Sequence, residues 1–325
     1  MKKAILIIVT LFTMGSCGKD DSNGTDDINY RQEMRNFVQG ISTYAKTIHP
    51  GFIVIPQNGI ELITVNGEVN GDKDTNYLAA IDGNGQEDLF YGYENDDEVT
   101  PESEIAYLQD FLGISKHAGK TILVTDYCST PAKVDNSYAL NNAMGYISFA
   151  APQRELNVIP GYPYMLNGEN NATVVSLDQA RNFLYLINTE NYLKKSLFIN
   201  AVVSTNYDLL ILDLFFTPDS QFSAGEIEEL RTKANGGRRL VIAYLSIGEA
   251  ETYRYYWQPG WHPGNPAWLD AENPDWPGNF KVRYWDPEWQ KIIYGNDNSY
   301  VKKILDAGFD GVYLDIIDGC EYYER

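Results

Sequence analysis

The sequence predicts an α/β fold, a (β/α)8 barrel, on three observations. Eight strand-like apolar runs recur along the chain, helix signals separate them, and six of the eight end in polar groups. The runs lie at residues 52–56, 80–82 continuing toward 87–90, 121–125 and 145–150, then 183–187, 209–214, 240–246 and 311–314. Most are unbroken rather than alternating, which suits strands covered on both faces in a parallel sheet. A doubly wound open sheet competes, but no glycine-rich phosphate fingerprint follows any strand.

The helices follow from their own signals. Met34, Phe37, Val38, Ile41, Ala45 and Ile48 share one face of a helix over residues 29–48. Thr100-Pro101 sets an N-cap and first-turn proline before residues 105–112. Ser223 and Glu226 have capping-box spacing and open a helix that ends at Asn235-Gly236-Gly237. A helix from Tyr300 ends at Gly308. Two segments break the repeat. Residues 152–178 are irregular and rich in Pro, Gly and Asn, and residues 252–289 hold all six tryptophans.

The N-terminus reads as an export signal. Lys2 and Lys3 precede an apolar run at residues 4–14, too short for a permanent membrane span, and Gly15-Ser16-Cys17 follows. Residues 1–16 are expected to be a lipoprotein signal peptide and Cys17 the lipidated residue; an ordinary signal peptide is the alternative. Residues 17–28, polar and rich in Gly and Asp, form a flexible tether, and residues 29–325 a single domain. The expected location is the outer membrane or cell surface, with the periplasmic face open as well. The membrane is touched only through the lipid anchor.

Composition narrows the chemistry. Twenty-five basic against 45 acidic side chains give a net charge of −20, which excludes nucleic acid as a natural partner. Three scattered histidines and three cysteines offer no metal-ligand spacing, so neither a metal nor another cofactor is expected. Cys128 and Cys320 are expected as half-buried thiols.

Catalysis must then rest on carboxylates. In a barrel the site forms at the C-terminal strand ends, which here carry Gln57 and Asn58, Glu87, Asp126 and Tyr127, and Asp213. Glu249 and Glu251 follow Ser246, and Asp315 and Asp318 end the last strand. Crowded carboxylates raise one another's pKa, and paired acids with separated pKa values suit glycosidic bond cleavage. Each acid alone also fits a blander role: Asp213 as a helix cap, Asp318 paired with Arg254, Glu249 and Glu251 holding Arg254. The tryptophan-rich segment fits either a sugar-stacking surface or plain core.

Tyr244-Leu-Ser-Ile-Gly-Glu-Ala-Glu-Thr-Tyr-Arg-Tyr-Tyr-Trp257, with Trp268-Leu, Trp276-Pro-Gly-Asn-Phe and Arg283-Tyr-Trp285, resembles glycoside hydrolase family 114. Gly308-Phe-Asp-Gly-Val-Tyr-Leu-Asp315 resembles that family's fourth strand. The segments beginning at Phe52, Gly85 and Ile122 resemble its fifth, sixth and seventh. The chain order is therefore expected to be circularly permuted, 5-6-7-8-1-2-3-4, with residues 152–178 as the permutation linker and the two chain ends adjacent. The resemblance implies endo-cleavage of α-1,4-linked polygalactosamine. It carries the catalytic pair to Asp315 and Glu87, with Glu87 as working proton donor and the reverse open. Tyr244, Arg254 and Trp285 join the other strand-end residues as expected substrate contacts. A non-catalytic glycan-binding lipoprotein is the alternative function; a metal-dependent deacetylase lacks the histidines it needs.

Overall fold

A computed structural model describes residues 28–324. The signal segment, Cys17 and all but the last residue of the tether lie outside the described residues.

The first half of the chain alternates helix and strand. It contains α1 (Tyr30–Ile48), β1 (Ile53–Pro56), α2 (Thr75–Ala80), β2 (Gly83–Glu87), α3 (Glu102–His117), β3 (Thr121–Tyr127), α4 (Pro131–Met144) and β4 (Ile147–Ala151). The second half continues with β5 (Phe183–Leu186), α5 (Lys195–Val203), β6 (Leu209–Asp213), the hairpin β7 (Phe215–Thr217) and β8 (Ser220–Gln221), and α6 (Ala224–Leu230). Then come β9 (Leu240–Ser246), a small antiparallel sheet of β10 (Glu249–Glu251), β11 (Leu269–Glu272) and β12 (Asn279–Val282), and α7 (Pro287–Ile293). The described chain closes with α8 (Tyr300–Ala307), β13 (Gly311–Asp315) and α9 (Cys320–Tyr323).

The result is an α/β fold with parallel strands and helices. Five strands pair in parallel in the order β1-β13-β9-β6-β5, and three more in the order β2-β3-β4. A parallel bridge between Gln57 and Gly85 joins β1 to β2, helped by Asn58 N donating to Gly85 O at 2.9 Å. At the other seam the rings of Phe149 on β4 and Phe183 on β5 lie 5.8 Å apart.

Local chemistry explains the elements. Asn29 caps α1 by accepting from Gln32 N at 2.9 Å, and Met34, Phe37, Val38, Ile41 and Ala45 bury the expected face. β1, β6 and β9 are buried along their whole length, as unbroken apolar runs require. Ser223 and Glu226 form the full capping box on α6.

Three expectations shift. Ala80 ends α2, and the second strand is the polar segment Gly83–Glu87. Its glycines let neighbours close in: a Cβ at Gly83 would sit 2.6 Å from Thr121 O, and one at Gly85 would collide with the Tyr313 hydroxyl. The capping-box helix stops at Leu230, well before Asn235. Pro101 is the cap residue of α3, and Thr100 hydrogen-bonds Asp88 O at 2.7 Å instead of capping.

The tryptophans are mostly structural. Trp257, Trp261, Trp268 and Trp289 pack edge-on or tilted in a chain with ring centroids 4.9–5.4 Å apart. Cys128 and Cys320 are free thiols, more deeply buried than expected. Near the chain end, Glu324 pairs with Arg31 of α1 at 3.0 Å, and the Tyr323 and Tyr30 rings lie 5.6 Å apart.

Candidate active site

The C-terminal ends of the parallel strands deliver polar side chains to one cleft of about 460 Å³, a size suited to a small ligand or part of a polymer. At its centre Gln57 Nε2 donates to Glu87 Oε2 at 2.8 Å and to Asp315 Oδ1 at 3.0 Å. Two bonds to one nitrogen hold these oxygens less than about 6 Å apart. Asn58 Nδ2 donates to Glu87 Oε2 at 3.0 Å, and the Tyr127 hydroxyl donates to Glu87 Oε1. The Tyr244 hydroxyl donates to Asp315 Oδ2 at 2.6 Å. Each carboxylate is thus fixed by side chains from neighbouring strands before any substrate arrives.

The backbone bends sharply where these groups sit. Asn58, Asp88 and Ile316, each one residue past Gln57, Glu87 and Asp315, have φ of 59°, 58° and 59°. Left-handed backbone is costly for a β-branched residue such as Ile316, and such geometry concentrates at functional sites. Gly248 makes room for this bend, because a Cβ there would collide with Ile316 O.

The cleft wall is a buried charge network. Arg254 Nη1 pairs with Asp213 Oδ2 at 2.7 Å, and Arg254 Nε pairs with Glu251 Oε2. The Tyr253 hydroxyl donates to Glu251 Oε1 at 2.5 Å. Lys281 meets Glu249 Oε1 at 2.6 Å, and Asn273 donates to the same oxygen at 2.8 Å. Arg154 pairs with Asp88 at 2.8 Å and lies over the Tyr127 ring at 4.1 Å. Among the described residues, no ion pair reaches Glu87, Asp315 or Asp318, which lie together on the floor of the cleft.

Burial, and secondarily the charge of Glu87, pushes the Asp315 carboxyl up to about 8. Burial with neighbouring Glu321 pushes Asp318 up to about 7. The ordinary value for Asp315 is 3.8, so folding takes up a proton at pH values between the two. Stability contributed by this group is complete below pH 3.8 and is lost as pH rises through about 8. Asp315→Asn is therefore expected to be more stable than the parent at pH 8, by on the order of a few kcal/mol, and similar to it near about pH 3.5. Thermal melts across that window check it.

Tyr185 is a positioning residue that strand ends did not reveal. Its hydroxyl donates to Gln57 Oε1 at 3.1 Å, which turns the Gln57 amide nitrogen toward both carboxylates. Tyr185→Phe is expected to lower kcat by about tenfold, with KM changed little, and to displace the acidic limb of the pH–rate profile. An unchanged profile would assign Tyr185 a packing role only.

Of the expected site residues, Gln57, Asn58, Glu87, Tyr127 and Asp213 line the cleft, as do Tyr244, Glu249, Glu251, Arg254, Asp315 and Asp318. Arg254 pairs with Asp213 and Glu251, so the expected alternative pairing with Asp318 is not formed. Two residues are misplaced. Asp126 is fully buried and accepts from Phe90 N at 2.8 Å, Ser137 Oγ at 2.6 Å and Asn141 Nδ2 at 3.0 Å. Side chains alternate along a strand, and Tyr127 takes the cleft side. Trp285 packs on Tyr30 and Tyr323, at 5.0 and 4.7 Å, beside α1. The cleft also holds Arg154, Tyr185, Tyr253 and Trp276, absent from the expected set. Tyr185 was accessible as a hydroxyl in the otherwise apolar run Phe-Leu-Tyr-Leu; Arg154 lies in irregular chain with no periodicity to place it.

An α/β fold whose strand ends join two carboxylates in an acidic cleft fits the class of glycoside hydrolases. Residues 170–324 match the model of the glycoside-hydrolase family GH114. An uncharacterized protein of Deinococcus radiodurans is 45% identical over 127 residues, 39% of this chain and 38% of its own length. The uncharacterized protein MJ1477 of Methanocaldococcus jannaschii is 40% identical over 159 residues, 48% of this chain and 42% of its own. A Thermotoga maritima protein, also uncharacterized, is 37% identical over 124 residues, 38% of this chain and 36% of its own. The matched region thus spans less than half of each relative.

Proposed function

We propose that the protein is an endo-acting glycosidase that hydrolyses an α-linked, amino-sugar polysaccharide of the polygalactosamine type with Glu87 and Asp315. The carrying observation is the Gln57 amide bonded to both carboxylates. Retaining enzymes place their carboxyl groups about 5–5.5 Å apart and inverting ones roughly 6.5–9.5 Å apart. The spacing here favours retention. One carboxylate attacks the anomeric carbon while the other protonates the departing glycosidic oxygen. Water, deprotonated by that second group, then releases the sugar from the first. The carboxyl groups of Glu87, Asp315 and Asp318 on the cleft floor, together with Asp213, Glu249 and Glu251 on its wall, give an amino group oxygen acceptors and suit an amino sugar. The half-exposed Trp276 offers an aromatic face to a sugar ring.

The strand order β5-β6-β9-β13-β1, its bridge to β2-β3-β4 and the Phe149–Phe183 contact support a closed (β/α)8 barrel. A circularly permuted order is supported by the Glu324–Arg31 pair, which brings the described ends together, and by a family match limited to residues 170–324. We take the working setting to be an exported lipoprotein held through Cys17, on which polymeric glycan is the partner. Reducing ends released from α-1,4-linked polygalactosamine by the purified protein test the reading. No release from this polymer, nor from a panel of α-linked glycans, would leave a glycan-binding role in its place.

A further inference from the structure

Beside the main cleft lies a second depression of about 140 Å³. The two share Ile187, Asn188, Asp213, Tyr253 and Arg254 as a common saddle. Beyond the saddle the chemistry changes. Phe215, Phe216 and Pro218 of the β7–β8 hairpin and the ring of Tyr255 supply apolar surface, while Thr189 and Thr217 supply hydroxyls. Among the described residues that line it, Asp213 is the one carboxylate, and Arg254 pairs with it at 2.7 Å.

We propose that this depression is a distal subsite that binds a neutral sugar unit of the polymer through its apolar face. The inference rests on the glycosidase reading of the main cleft and adds where the chain continues and what it carries there. Sugar recognition wants a rigid aromatic surface next to hydroxyl partners, and both are present. Tyr253 forms the crest of the saddle, 48% exposed, yet its hydroxyl is anchored on Glu251 and its ring lies 5.0 Å from the Arg254 guanidinium. It is fixed before a ligand arrives, which lowers the entropy cost of stacking. The hairpin is fixed as well: Thr189 Oγ1 donates to Phe216 O at 2.5 Å, and Phe222 N donates to Leu214 O at 2.9 Å. Tyr255 completes the wall, packed on Phe215 at 5.8 Å and Tyr300 at 5.5 Å. Among the described residues that line it, Asp213 is the one carboxylate and is already paired, so a cationic unit finds no unpaired carboxylate in the lining. The main cleft has the opposite preference.

Titration calorimetry on the Glu87→Gln protein tests this with α-1,4-linked galactosamine oligomers of graded length, each also N-acetylated at one or the other end. Affinity is expected to rise with length and to rise further when one particular end is N-acetylated. Thr217→Trp, which fills the depression from an exposed position, and Tyr255→Ala, which removes its wall, should each cost about tenfold on the longest oligomer and leave the dimer unaffected. Melting temperatures confirm that both variants fold. Equal losses at every length, or no loss at any, overturn the subsite while the glycosidase reading stands. No binding of any oligomer by folded Glu87→Gln overturns the glycosidase reading and the subsite with it.

Discussion

Glu87→Gln and Asp315→Asn are each expected to lower kcat by about a thousandfold or more while leaving oligosaccharide binding largely intact. Both side chains are nearly isosteric with the originals, so the Gln57 bridge to each can persist. What disappears is a proton donor or an attacking oxygen. The two variants also separate the roles. Burial and the neighbouring Glu87 favour the protonated form of Asp315, whose carboxyl is pushed up to about 8. If Glu87 is the donor, the proton must cross to it when substrate enters; if Asp315 is the donor, no transfer is needed. Azide added to Glu87→Ala and Asp315→Ala distinguishes these, because it restores turnover by replacing the missing nucleophile and yields a glycosyl azide of inverted configuration. An inverted azide from Asp315→Ala assigns Glu87 as donor, and one from Glu87→Ala assigns Asp315; an azide of retained configuration marks the acid/base variant instead.

The second large effect concerns stability. Arg254, Asp213 and Glu251 have side chains only 6%, 9% and 5% exposed. Removing one partner of a buried ion pair strands the other charge and typically costs about 3–5 kcal/mol. Arg254→Ala strands two carboxylates at once, so it is expected to lose at least that much in urea unfolding. Arg254→Lys should recover little, since one ammonium cannot reproduce two separate nitrogens of a planar fork. Replacing all three by Met, Asn and Gln at positions 254, 213 and 251 should recover most of the loss, because burying neutral groups avoids the stranded charge. If the single and triple variants unfold alike, packing by the arginine stem outweighs its charge.

Much of this architecture was readable because parallel strands are buried on both faces. Runs such as Leu209–Asp213 and Leu240–Ser246 have no polar residue until the strand end, so both the strand and its functional tip stand out. β2 escaped that logic. Gly-Asn-Gly-Gln-Glu pairs only because its glycines admit Thr121 and Tyr313, a requirement set by residues distant in sequence. The strand-end rule found Glu87 and Asp315, yet it could not tell Asp126 from Tyr127, since adjacent residues face opposite sides of the sheet. Tyr185 lies two residues inside its predicted strand end, so a rule that reads only strand tips passes over it; Arg154 reaches the cleft from chain without regular structure, where no local pattern places it. The tryptophan-rich stretch shows the reverse error. Its aromatic density fitted a sugar platform or plain core; four of the six rings satisfy one another, and Trp276 alone of the six lines the cleft.

On the proposed function, two carboxylates held by one amide nitrogen hydrolyse a glycosidic bond. Proton NMR of the first-formed reducing end, recorded before mutarotation during digestion of α-1,4-linked galactosamine oligomers, reads the stereochemistry of that step. The expected first product is the α anomer, with none formed by Glu87→Gln or Asp315→Asn. A β anomer appearing first would contradict the close pairing of Glu87 and Asp315 as acid and nucleophile.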